Sequence, residues 1–70
     1  MFKADLIKKL EAIPASEPLF LLRGRDPLAA GVVGAWCDDA AFASVNPEKI
    51  AEARCVAAAM ADYEPQKLPD

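Results

Sequence analysis

Pro18-Leu19-Phe20-Leu21-Leu22-Arg23-Gly24-Arg25-Asp26-Pro27 is the stretch on which the fold turns, because it separates two segments of helical pattern and resembles neither. Leu19 to Arg23 is a short apolar run bounded by Pro18 and Gly24. That length suits an extended segment, since a helix needs roughly 10 residues to declare a period. Extended over 18–25, the run places Leu19, Leu21, Arg23 and Arg25 on one side and Phe20 and Leu22 on the other. A lone strand cannot satisfy its own backbone groups, and no second strand pattern occurs in the chain. Two arrangements remain open. The run pairs with its own copy across a two-fold axis, which is the preferred reading, or it is an irregular linker laid over helices.

Outward from the run, the patterns are helical. Phe2, Leu6, Ile7, Leu10 and Ile13 keep to one face, with Lys3, Asp5, Lys8, Lys9 and Glu11 opposite, which predicts a helix over 2–12 that Pro14 ends. Asp26-Pro27 reads as an N-cap followed by proline at N1, and predicts a second helix over 27–44. Asn46-Pro47 repeats the signal for a third over 47–63, and a connection this short makes the last two helices antiparallel neighbours. Paired about residue 46, they set Val33 level with Met60, Trp36 with Val56, Ala40 with Ala53, and Phe42 or Ala43 with Ile50. Trp36 is expected in the core. Gly31 and Gly34 lie on a small-residue side that invites close approach by another element. Residues 65–70, with Pro65 and Pro69, are expected to form an extended tail. The expected fold is therefore mainly α, one domain over 1–64: an N-terminal helix, a strand-like segment and a helical hairpin.

Seventy residues make a marginal monomer. Although 54% of them are hydrophobic, 15 are alanine and contribute little volume. Completion by homo-oligomerisation is expected, through Leu19, Phe20, Leu21, Leu22, Gly31 and Gly34. The net charge of −3 excludes a general nucleic-acid binder. It is unevenly spread: residues 1–25 carry five basic and three acidic groups, residues 26–70 three basic and eight acidic. An anion site belongs to the first third. Met1 to Pro14 is charged throughout and reads as a helix rather than a secretory leader, and no run approaches the ~18 apolar residues of a membrane span. A cytoplasmic location is expected. Cys37 and Cys55, with no histidine in the chain, make no zinc set and are expected as free thiols.

The catalytic inventory is poor. There is no paired nucleophile and base and no glycine-rich phosphate loop, and Asp38 and Asp39 diverge by ~100° on a helix. No enzyme, cofactor or metal site is expected. Arg23-Gly24-Arg25 is the strongest candidate for binding, because guanidinium is a planar fork for phosphate or carboxylate and Gly24 would admit a ligand to the backbone; Tyr63 would supply a stacking face. The same arginines have a purely structural reading, as partners of Asp26, Glu17 or acids on the last two helices. Asp38, Asp39, Glu48, Glu52, Asp62 and Glu64 form a second candidate, an acidic surface able to occupy a basic site on another protein.

Glu17-Pro18-Leu19-Phe20-Leu21-Leu22-Arg23, Asp26 with Leu28-Ala29, Trp36, Pro47-Glu48-Lys49-Ile50-Ala51-Glu52-Ala53-Arg54 and Lys67-Leu68-Pro69-Asp70 together resemble a group of short uncharacterised proteins of bacteriophages and prophages. The likeness covers residues 17–70. It implies a phage setting inside a bacterial host, and small proteins in that setting are often counter-defence factors; it assigns no residue a role. Three functions follow as expectations. One is a homo-oligomer that sequesters an anionic, nucleotide-like ligand. Another is an acidic inhibitor of a host defence protein's nucleic-acid-binding surface. The third is a structural or accessory phage protein.

Overall fold

The computed structural model describes residues 3–69. It contains α1 (Lys3–Glu11), α2 (Ala29–Phe42) and α3 (Pro47–Asp62), with no strand among the described residues. The mainly helical architecture is as the periodicity predicts, and α2 and α3 pack on each other as a hairpin. Pairing of the 19–23 run needs a second chain, so a single copy shows it only as unpaired chain between α1 and α2. Phe2 and Asp70 lie outside the described residues.

α1 carries Asp5 in its first turn and Lys8 and Lys9 in its last, the order that complements the helix dipole. It ends as expected: Ala12 and Ile13 donate back to the Lys9 and Leu10 carbonyls at 3.2 Å, and Pro14 follows. α1 packs on neither other helix and buries no residue. Its apolar side instead faces the extended run across a groove of about 460 Å³, lined by Leu6, Lys9, Leu10 and Ile13 on one side and Leu19, Phe20 and Leu21 on the other.

The start of α2 corrects the expected boundary. Asp26 Oδ1 accepts from Leu28 N at 2.8 Å, and its carbonyl accepts from Ala29 N at 3.0 Å. These bonds close a tight turn over 26–29 rather than the first turn of an α-helix, so the helix begins at Ala29, two residues late, with no side-chain cap of its own. Asn46 behaves as expected. Its Oδ1 accepts from Glu48 N at 2.9 Å, with Pro47 as the first residue of α3. α2 stops at Phe42 because Ser44 turns left-handed, at φ 63°, and lets Ser44 N reach the Ala41 carbonyl and Val45 N the Ala40 carbonyl. That is the Schellman closure, with serine where glycine is usual.

Rotation of α2 is the larger correction. The face toward α3 holds Ala29, Val33, Cys37 and Ala40, of which Ala29 and Cys37 are fully buried and Ala40 is 5% exposed. Cys37 Sγ lies 4.0 Å from the Ile50 carbonyl, at the heart of the hairpin. Trp36, expected in the core, is 46% exposed, and Phe42, one of the two residues expected opposite Ile50 (the other being Ala43), is 95% exposed. The reason is steric. Small residues let two helix axes come close, so a seam of Ala and Cys displaces the bulky Leu28-Val32-Trp36 stripe from the contact. Gly31 and Gly34 also face open space: a β-carbon at either would meet nothing within 4 Å. Within one chain, therefore, no element makes the close approach the glycines invite.

Candidate functional site

Arg23 precedes and Arg25 completes the turn Gly24-Arg25, which the Asp26 N to Arg23 O bond of 3.0 Å closes. Among the described residues neither guanidinium forms an ion pair; the one pair is Arg54 with Asp38, at 3.1 Å on the exposed surface of the hairpin. Asp26 spends a carboxylate oxygen on Leu28 N.

What the pattern of residues did not foretell is the path of the tail. Residues 63–69 double back along the arginine turn instead of extending away. Gln66 Nε2 donates to the Tyr63 carbonyl at 2.7 Å, to the Met60 carbonyl at 3.3 Å and to the Gly24 carbonyl at 3.4 Å. Lys67 N donates to the Arg25 carbonyl at 2.8 Å. One amide side chain therefore ties the end of α3 to the turn. The sequence signal was a single glutamine between two prolines, too small to distinguish from a solvated tail.

The consequence is a concavity of about 240 Å³ lined by Phe20, Leu21, Arg23, Arg25, Asp26, Lys67 and Pro69. It combines three basic side chains and one acid with an apolar wall. Arg25 and Asp26 are half-buried and Arg23 is exposed, while Phe20, at 87% exposure, stands at the rim. Tyr63 is not part of this lining. A β-carbon placed at Gly24 would lie 3.8 Å from Tyr63 Cβ and Cγ and from Met60 Cγ, so one side of the glycine is already covered by α3. Aromatic stacking in the concavity would therefore fall to Phe20, not to Tyr63. Gly24 has an ordinary backbone conformation and marks no left-handed turn.

The acidic candidates are spread over the hairpin. Asp39, Glu48, Glu52, Asp62 and Glu64 are exposed, and Asp38 is engaged by Arg54. No three of the described acidic and cysteine side chains are placed to share a metal ion. Cys37 is buried and Cys55 exposed, both unbridged. No described helix is long and apolar enough to cross a membrane. Compared with family models, with curated proteins and with solved structures, the chain matches none.

Proposed function

We propose that this chain is a non-catalytic, homo-oligomeric protein of phage type, a counter-defence factor that binds and sequesters an anionic, nucleotide-like ligand. The observation that carries the reading is the convergence of Arg23, Arg25 and Lys67 on one concavity with an apolar wall. Guanidinium forks grip phosphate in pairs, and an exposed phenyl ring offers a flat face for a base. Arginines lacking a carboxylate partner in the fold retain their donors for a ligand. Binding of this kind requires no acid, base or nucleophile, in keeping with the residues present.

The test is native mass spectrometry of the protein purified from a bacterial host, followed by equilibrium titration with a panel of mono-, di- and cyclic nucleotides. Retained or titrated anionic mass that disappears in the Arg23→Ala, Arg25→Ala double variant is the expected result. Affinity should also fall by about tenfold or more between 50 and 500 mM salt, because charge pairing at an open site is screened. A wild-type protein that carries nothing and binds nothing in the panel overturns the reading.

A second reading draws on the exposed acids Asp39, Glu48, Glu52, Asp62 and Glu64, which would occupy a basic, nucleic-acid-binding surface of a host defence protein. It predicts the opposite pattern. Glu48→Lys with Glu52→Lys abolishes inhibition of that protein, and the double arginine variant leaves inhibition intact.

A further inference from the structure

We propose that the outward stripe of α2 is the contact between two copies of this chain, packed antiparallel about a two-fold axis that passes close to Ala35. Leu28, Val32, Ala35, Asp39 and Phe42 follow each other at spacings of four, three, four and three, the repeat of a helix seam. All five are exposed in the single chain, Leu28 at 60%, Val32 at 53% and Phe42 at 95%, with Trp36 beside them at 46%. The opposite side of α2 is already used by α3. A helix apolar on both sides is an interior helix, and among the described residues this one packs on one other helix.

The chain carries as much excess surface as a second copy would cover. The chain exposes 5,729 Å², whereas a folded monomer of its 7.5 kDa mass exposes about 4,200 Å². The excess, roughly 1,500 Å², lies within the ~1,000–2,500 Å² that each partner of an obligate homodimer buries. That excess belongs to the whole chain, and the α2 stripe is the part of it that packs against itself across a two-fold axis.

Orientation follows from the one charge in the stripe. Parallel helices would set Asp39 beside its own copy. Antiparallel packing about Ala35 separates the two carboxylates by about 12 Å along the axis, from a rise of 1.5 Å per residue. It also opposes the two helix dipoles, brings Leu28 against Phe42 of the partner subunit, and places the smallest side chain of the stripe at the crossing, where axes approach to about 8–10 Å. Gly31, with open space where its β-carbon would be, flanks that crossing.

This specifies the homo-oligomer on which the proposed function rests, and its test uses no ligand. Trp36 is the sole tryptophan and borders the stripe, so its emission should be blue-shifted in the dimer and shift red on dilution as sedimentation shows the mass halving. Ala35→Asp and Phe42→Asp should each weaken association by at least a hundredfold. Ala35→Cys in a Cys55→Ser background should give a disulfide-linked dimer on mild oxidation, while Leu21→Cys in the same background should not. The cross-link keeps the test decisive even where a charged variant fails to fold. A wild-type monomer at 100 μM, solvent-like Trp36 emission in an associated species, or cross-linking at residue 21 but not at residue 35 overturns the proposal. Loss of association would leave ligand binding by Arg23 and Arg25 to be judged separately, and the Arg23→Ala, Arg25→Ala variant should remain dimeric.

Discussion

Ser44 holds a left-handed conformation, φ 63°, that its β-carbon disfavours, and it does so to end α2 within two residues of the next helix cap. Glycine adopts that region without the steric penalty, so Ser44→Gly should stabilise the fold by about 0.5–1 kcal/mol in urea denaturation. Asn46 is the converse. Its side chain satisfies Glu48 N, and Asn46→Ala should cost about 1 kcal/mol by the same measurement. Gly24 invites a glycine argument from sequence that the geometry does not sustain. A methyl group there meets Met60 and Tyr63 at ordinary contact distance, and Gly24→Ala should be neutral or stabilise by a few tenths of a kcal/mol. A loss above 1 kcal/mol would show that the turn needs glycine after all. The arginines on either side were legible as the basic end of an uneven charge distribution. Lys67, which completes their concavity, was not, because 42 residues of chain separate it from Arg25 and only the return of the tail brings them together.

Among elements, α2 and α3 form one packed unit and α1 stands apart. α1 has no buried residue, and Ile7 and Leu10 on it are 47% and 45% exposed. A nine-residue helix with so little packing is marginal by itself. Hydrogen exchange should find α1 amides open near-locally, while protection in α2 and α3 approaches that of global unfolding. Gln66 is the clasp between α3 and the arginine turn. Gln66→Ala should leave the helical circular dichroism unchanged, speed exchange at the Lys67 amide and cost about 1 kcal/mol or less, as expected of exposed hydrogen bonds. Helix existence was readable at all three places, because amphipathic spacing and two Asx-Pro signals are local. Which side of α2 meets α3 was readable only in part: of the expected set, Val33 and Ala40 lie on it, whereas Trp36 and Phe42 do not. The stripes 28-32-36 and 29-33-37-40 both satisfy a helical period, and size alone recommends the wrong one; the choice turned on how closely two axes can approach when Ala29, Cys37 and Ala40 lie between them.

At the scale of the whole molecule, the single chain is open for its size. Its radius of gyration is 13.0 Å, where about 11 Å is expected for 70 compact residues. Folding alone removes roughly half of the unfolded chain's surface against a usual ~60%, and its fully buried side chains are small ones. A buried leucine contributes about 1.5–3 kcal/mol, and none of the large apolar side chains described reaches full burial. On the proposed self-association, stability is supplied by mass action, so the melting temperature should rise with protein concentration over the micromolar range; a concentration-independent transition would place the stability within one chain.

The amino-acid sequence by itself determined the existence of the helices, the Asn46 cap of α3, the interruption at Pro18 to Pro27, the basic first third and the shortage of core volume. Each is a property of neighbouring residues or of composition, and needs no knowledge of what lies across the fold. Tertiary structure decided the rotation of α2, the separateness of α1, and the closing of the tail on Arg23 and Arg25. These depend on which surfaces approach closely enough to exclude water, a competition among stripes and segments that are locally equivalent and differ only in the shape they present to one another.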